Sequence, residues 1–408
     1  MSKLPRVTVL GLNYPPESTG ISPYTGSFAQ GMSERGAPVH VLATHPHYPE
    51  WQFRAGSAKW THREQHGRVS ITRLRHYLPK TAIGVGRLLS EVSFGIRLLF
   101  TPWHRPEVIV LVSPALFATA IALLRARLTP SKPAVVVWVQ DLYSLGVTET
   151  GAATGLIAKL VTGVESRVLR SATCVVVIHA RFAAYVCAEL GVDKGRVQVI
   201  RNWSHVKPPA EPEGLRVRAQ HGWKSGETVI LHAGNMGAKQ GLENVIDAAR
   251  IADADDLPLH FVLLGNGNQR NVLEKYAAGI DRLQFIDSLD DSSFGDVLVT
   301  ADILLVNEKP GVSEMAVPSK LTSYFSTGRP VIAATDPDGV TASEIHAASA
   351  GLVVQAGEPQ ALVDACLVLR NDPAGAQEAG ESGRIYRRDL LSEETALASF
   401  AQLLKNIV

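Results

Sequence analysis

The chain has 408 residues, 46% hydrophobic and 19% charged, which excludes a disordered protein and sets the expectation at two or three domains. Lys and Arg number 40 against 39 Asp and Glu, so the basic excess of a duplex nucleic-acid binder is missing. Cys174, Cys187 and Cys366 lack metal-ligand spacing and read as buried thiols in a reducing compartment.

The start, MSKLPRVTVLGLN, enters a strand without a signal-peptide core, so a cytoplasmic protein is expected. Short β-branched runs then follow at 6–12, 39–43, 107–112, 134–140, 174–179 and 197–200. They are nearly continuous in apolar character, as strands covered on both faces must be. Helical patterns such as Ala115–Leu128 and Leu156–Leu169 fit between them, which implies parallel strands with right-handed crossovers. SHVKPPAEPEG, Ser204–Gly214, has no apolar period and reads as a linker. The alternation restarts at 228–234, 259–265, 283–286, 301–306, 330–335 and 352–355, and the chain closes on an amphipathic helix at Glu393–Ile407.

The expected fold is α/β: two doubly wound Rossmann-like domains facing across a cleft, with the ligand at the carboxyl ends of the strands. The boundaries expected are 1–205, 206–385 and a C-terminal segment, 386–408, packing back toward the first domain.

VILHAGNMGAKQGLENVIDAAR is strand, glycine turn and helix. Gly234 and Gly237 permit a tight turn and close approach of backbone to a ligand. The helix from about Gly241 is expected to aim its free N–H groups at the turn, and Lys239 adds a charge. A diphosphate fits there, although the spacing is neither G-x-G-x-x-G nor a P-loop, and a plain strand-to-helix turn fits equally. LLGNGNQR repeats the strand–glycine–helix pattern around Gly265. A third element places Glu314 in a loop after ADILLV, and Pro318-Ser319-Lys320 reads as a helix start. A carboxylate there can accept bonds from sugar hydroxyls, while Lys320 and the first-turn amides near Ser319 can meet phosphate oxygens. Three such features on successive strand ends of one domain point to a nucleotide.

Asp141 in WVQDLY follows a buried strand and reads either as a polar contact to a reacting centre or as a helix N-cap. His45 and His47 in THPHYP read as acceptor contacts or as ordinary surface histidines. Arg181 in VVVIHARF reads as a contact to a phosphate or to an acceptor carboxylate, or as part of a helix start. The acidic pairs in DAD, 253–255, and DPD, 336–338, suit a helix end and a turn, and no metal site is expected.

The stretches NYPPESTGISPYTGSFAQGM, WVQDLYSLGV, VIRNW, HAGNMGAKQGLENVIDAA and PSKLTSYFSTGRPVIAA span both halves in order. On them the chain resembles the retaining GT-B glycosyltransferases of glycosyltransferase family 4. More narrowly, it resembles the WcaI-like and WbuB-like bacterial branch that builds colanic acid and O-antigen. The resemblance implies a nucleotide-sugar donor, UDP- or GDP-linked, held by the second domain without a resident cofactor. It implies a polyprenyl-diphosphate-linked or other saccharide acceptor received by the first, and a place at the inner face of the plasma membrane. Gly20 is then expected to approach the diphosphate, and the base to lie along LQFIDSL near Phe285. Departures from the family pattern are specific. Its usual Arg after the first glycine of the turn is Asn235, and its usual Lys before the last is Gln240. Glu314 stands for the first glutamate of the family pair, and the second falls on Ser323. The implied roles are charge stabilisation by Lys320, sugar orientation by Glu314 and a polar contact or weak base at Asp141.

Ile83–Arg105 carries a wide apolar face, Arg87 and Arg97, one acid and then Trp103, suited either to a lipid interface or to a packed helix. Three other functions remain open on this sequence. A 2-epimerase on the same fold would need more acid–base carboxylates. A noncatalytic sugar-nucleotide-binding partner is consistent with Asn235, Gln240 and Ser323. A dinucleotide oxidoreductase is disfavoured because VLGLNYPPESTG lacks the G-x-G-x-x-G turn.

Overall fold

The computed structural model describes residues 3–17, 20–48, 51–53, 59–79, 84–145, 155–203, 214–311 and 319–408. Glu314 and the expected linker at 204–213 lie outside the described residues. The chain forms two compact units, Met1–Asn202 with Glu393–Val408, and Trp203–Ser392.

The first unit is an eight-stranded sheet. Its strands are β1 Val7–Leu10, β2 Val39–Thr44, β3 Thr61–His66, β4 Val69–Leu74, β5 Val108–Ser113, β6 Ala134–Val139, β7 Cys174–Val177 and β8 Val197–Val199. Their order is β3-β4-β2-β1-β5-β6-β7-β8, all parallel except β3 against β4. Val7 pairs with Val39 on one side and Val108 on the other, so β1 is central. The β3–β4 hairpin is a feature that apolar patterning does not reveal. THREQH is half exposed along its length, as an edge strand tolerates, and the turn falls at Gly67 with φ +58°. The C-terminal helix, Glu393–Asn406, belongs to this unit. Its Phe400 ring lies 4.8 Å from Phe28 and 4.9 Å from Trp138. Its Leu397 fills the space that a Cβ at Gly31 would occupy, 2.4 Å away.

The second unit is a six-stranded, wholly parallel sheet of β9 Thr228–Ala233, β10 Leu259–Leu264, β11 Leu283–Ile286, β12 Ile303–Asn307, β13 Val331–Thr335 and β14 Gly351–Gln355. The order is β11-β10-β9-β12-β13-β14. Both faces are covered, with Leu231 and Val306 packed in one layer and Ile230 and Leu305 in the other. The unit runs to Ser392 rather than to 385, because Pro373–Leu390 is one continuous helix that packs on the Ser319–Ser326 helix.

Parallel order reverses between β1 and β5 in the first unit and between β9 and β12 in the second. At such points crossovers diverge to opposite faces and leave a crevice at the carboxyl ends of the strands. Both candidate sites lie there. Among the thiols, Cys174 and Cys366 are buried and Cys187 is half-buried, all three free.

Candidate functional sites, one in each unit

In the second unit β9 ends at Ala233 and Gly234 turns the chain at φ +133°. The turn is built backbone on backbone. The Gly234 amide donates to Leu264 O at 2.9 Å, and the Met236 amide to Asn266 O at 2.8 Å. A Cβ on Gly265 would stand 2.1 Å from the Gly234 carbonyl, and one on Gly267 2.4 Å from that of Met236. The two glycine turns expected from sequence are therefore one packed object, which explains why both need glycine.

The helix that follows does not open directly on the turn. A 3-10 turn, Ala238–Gln240, intervenes, and Gly241 is left-handed at φ +54° before the helix Glu243–Ala254 begins. The Asn244 and Val245 amides already donate to Gly241 and Leu242 carbonyls at 3.1 Å each. The dipole-driven role given to this helix is thereby reduced, since its first amides are spent locally. Gln240 is spent as well: its Oε1 accepts the Gly237 amide at 3.1 Å. Asn307, at the end of β12, donates to the carbonyls of Gln240 and Gly241 at 2.7 and 2.9 Å. Asn244 Nδ2 fixes it in turn at 2.8 Å, and the Lys309 amide holds the Lys239 carbonyl at 2.8 Å. Lys239 and Asn235 are exposed at the rim.

The charge at the turn comes from Lys320, in the first turn of the Ser319–Ser326 helix. Its ammonium is 3.7 Å from where a Gly234 Cβ would be, and 3.3 Å from Nε2 of His232. Burial pushes the amine down from its ordinary 10.5 to about 8, and Glu308 pulls the other way. His232 is fully buried, and burial followed by the Lys320 charge holds it neutral. Tyr324, one helical turn on, places its hydroxyl 2.9 Å from the Ala233 amide and so locks the helix to β9. Glu308 follows β12; its Oε1 accepts the Thr341 hydroxyl at 2.7 Å and its Oε2 that of Thr335. Ser323 is half-buried on the same helix as Lys320. Phe285 lies on β11 with the Arg270 guanidinium 5.8 Å from its ring centroid, and Arg270 Nη1 donates to the Gly265 carbonyl at 2.6 Å. A half-buried cation with a neutral hydrogen-bond partner, beside a glycine turn, makes this the candidate anion site.

His232, Asn307 and Glu308 were not singled out from sequence. Asn307 and Glu308 were legible as the last residue of a buried strand and the next one. His232 sits inside an apolar run and gives no signal.

In the first unit a cavity of about 190 Å³ lies beyond β1, β2 and β5. Gly20, His47, Tyr48, Trp51, Arg87 and Glu91 line it. Gly20 stands at φ +65° just before the helix Ser22–Glu34. Glu17 shapes the wall: it accepts the amides of His47 and Tyr48 at 2.8 and 3.0 Å, and the Asn13 side chain at 2.9 Å. Glu91 accepts the Phe117 amide at 3.0 Å and the Tyr143 hydroxyl. Burial raises its carboxyl above the ordinary range, against the pull of these bonds and of Arg87. The two histidines part company here. His47 lines the cavity, whereas His45 is buried with Nε2 2.8 Å from the Lys59 carbonyl. Asp141 is exposed at the end of β6 and its Oδ1 accepts the Leu142 amide at 2.9 Å. Arg181 is half-buried, and its amide is capped by His179 Nδ1 at 3.1 Å, so the helix-start reading describes its backbone. Among the described residues no group of three His, Cys, Asp or Glu side chains could hold a metal ion.

Two parallel α/β units, each with its candidate site at a switch point, define the GT-B class of glycosyltransferases. The sucrose-phosphate synthase of Thermosynechococcus elongatus superposes with a TM-score of 0.72 at 18% identity, covering 98% of each chain. Anabaena HepE, solved with UDP, superposes at 0.73 and 13% identity, over 98% of this chain and 100% of that one. Residues 19–203 match the glycosyl transferase 4-like domain model and residues 227–372 the glycosyl transferases group 1 model. The colanic acid biosynthesis glycosyl transferase WcaI of Escherichia coli (strain K12) is 32% identical over 339 residues, 79% of this chain and 81% of that protein. The chain belongs to glycosyltransferase family 4, in its WcaI-like branch.

Proposed function

We propose that this glycosyltransferase of polysaccharide biosynthesis moves a sugar from a UDP- or GDP-linked donor to a lipid-linked saccharide, with retention of configuration and without a metal. The observation that carries the reading is the half-buried Lys320 ammonium at the Gly234 turn, its charge disfavoured by desolvation. HepE, of the same fold, has been solved with UDP and with UDP-glucose.

Transfer breaks the bond between the anomeric carbon and a diphosphate oxygen, and that oxygen gathers negative charge. Fixed donors aimed at it lower the barrier because they need not reorganise. Lys320 and the turn amides near Asn235 supply them, with Lys239 at the rim. Glu314 orients the sugar. The acceptor hydroxyl attacks the face from which the diphosphate departs and passes its proton to the departing diphosphate oxygen, with Asp141 as a polar contact, or to Asp141 as a weak base. The first-unit cavity receives the acceptor sugar: Trp51 and Tyr48 offer ring faces, and Glu91 and Arg87 offer hydrogen bonds.

A thermal-shift screen against UDP, GDP and their sugars identifies the donor. Nucleoside diphosphate release that requires a lipid-linked acceptor then establishes transfer. Release without acceptor supports the 2-epimerase, and binding without turnover a noncatalytic partner. Lys320→Ala and Glu314→Ala should each abolish transfer with the fold intact; full activity in both removes these residues from the site.

A further inference from the structure

Strand ends flank the Gly234 turn on both sides of the second sheet. Toward β12 and β13 their polar groups are used within the protein. Asn307 holds the carbonyls of Gln240 and Gly241, and Glu308 holds the hydroxyls of Thr335 and Thr341. Toward β10 and β11 the strand ends are level. Ala233 stands opposite Leu264 and Leu264 opposite Ile286, so Gly234, Gly265 and Asp287 each lie one residue past the paired stretch. Two strand spacings separate Gly234 from Asp287, about 10 Å, which a ribose and a purine can bridge.

Arg270 closes the backbone of this edge. It opens the helix Arg270–Tyr276, and its side chain is only 13% exposed. Its Nη1 donates to the Gly265 carbonyl at 2.6 Å and to the Ile286 carbonyl at 3.2 Å, while Nε donates to Glu274 at 2.8 Å. The Ile286 carbonyl also accepts the Gly265 amide at 2.9 Å. A carbonyl has two lone pairs, so this one is full and offers a ligand nothing.

The acceptor on offer at the end of β11 is instead a side chain. Asp287 Oδ1 pairs with Arg270 Nη1 at 2.8 Å, and the Asp287 side chain is 82% exposed. An exposed aspartate on its own samples several rotamers, and ordering it costs entropy. This one is tethered to a guanidinium that two carbonyls and a carboxylate already hold in place.

A carboxylate accepts hydrogen bonds and cannot donate them. Its two oxygens match a base that presents two N–H donors side by side. Guanine does so, with N1–H next to its exocyclic amino group. Uracil presents one N–H between two carbonyl oxygens, which a carboxylate repels. Adenine and cytosine set their amino group beside a ring nitrogen that is itself an acceptor.

We infer that Asp287, held by Arg270, reads the base and selects a guanine nucleotide, so that the donor is a GDP-linked sugar. The inference rests on the diphosphate reading of the Gly234 turn and narrows it.

The test is calorimetric titration of the full chain with GDP, UDP and inosine diphosphate, whose base lacks the amino group. GDP should bind about tenfold or more tightly than UDP, and about fivefold more tightly than inosine diphosphate, as the loss of charge-assisted bonds implies. Asp287→Ala should bring GDP and inosine diphosphate to equal affinity and remove the preference over UDP. Because an exposed ion pair contributes little to stability, this variant should keep the wild-type melting curve. Equal or tighter binding of UDP by the wild type overturns the inference and leaves the diphosphate reading standing. So does a guanine preference that Asp287→Ala leaves intact. Failure of the folded chain to bind any of the three nucleotides overturns both.

Discussion

Lys320 and His232 meet at 3.3 Å, Nζ to Nε2, inside the second unit. An ammonium can only donate, so Nε2 of the buried imidazole accepts and the ring carries its proton on Nδ1. Lys320 thus keeps its charge against a neutral partner. No carboxylate among the described residues bonds it, and the described acid whose charge acts on it, Glu308, is engaged by two threonine hydroxyls. The diphosphate proposed above would supply the counter-charge that the described residues do not bond to it.

The first prediction is a pH dependence. Lys320 titrates at about 8 in the folded protein, against its ordinary 10.5. Its charge is half lost at pH 8 and falls further above, so donor affinity should fall as pH rises through 8. Calorimetry at pH 7 and pH 9 measures this. Lys320→Met should weaken binding by about 10- to 100-fold at pH 7, as loss of a charge-assisted bond implies, and flatten the pH response. The stability effect has the opposite sign. Between pH 8 and 10.5 the unfolded chain binds more protons, so the desolvation cost, about 3 kcal/mol, is relieved as pH rises. Lys320→Met should therefore melt higher than wild type below pH 8.

The second prediction concerns His232. Glutamine keeps an acceptor near the ammonium and leucine does not. His232→Leu should shift the alkaline loss of donor binding to lower pH, and His232→Gln should restore it. Equal profiles for both variants would reduce His232 to a filler of the core.

Glycine packing gives a third, read by calorimetric melting. Gly265→Ala puts a Cβ 2.1 Å from the Gly234 carbonyl at φ +129°. Backbone cannot yield as a side-chain tip would, so the cost should be about 2–4 kcal/mol, with loss of nucleotide binding. Gly279→Ala is the control. It has φ +82° but open space around it, and should cost about 1 kcal/mol, the left-handed strain alone.

These three positions differ in how far the sequence announces them. Both parallel sheets were legible because strands buried on both faces read as unbroken apolar runs, as in EVIVLV and ADILLV. Neither strand of the hairpin was, because THREQH is an edge strand without that constraint and VSITRL breaks its apolar run with Ser70, Thr72 and Arg73. Gly234 and Gly265 were legible because a strand end followed by glycine has a physical meaning. Their fusion into one packed turn was not, because it depends on the β9–β10 register, Ala233 opposite Leu264. Lys320 was legible from its place at a helix start. His232 was hidden, because one histidine within VILHAG looks like any other interior residue of a strand. Gln240 was marked from the family pattern as a departure, and only its bond to the Gly237 amide shows what it does instead.

Glu308 carries the last prediction. Its carboxylate supports the Lys320 charge without bonding it, and the hydroxyls of Thr335 and Thr341 keep it in place. Glu308→Gln preserves size and one acceptor oxygen but removes the negative charge. The Lys320 amine should then titrate below 8, so that donor affinity at pH 7 falls while affinity at pH 6 stays near wild type. Thr341→Val removes one hydroxyl and leaves the charge, so it should lower stability by about 1 kcal/mol without moving the pH profile. Calorimetric titrations of both variants across pH 6–9 separate the two effects. A Glu308→Gln profile identical to wild type would mean that Lys320 owes its charge to the turn alone.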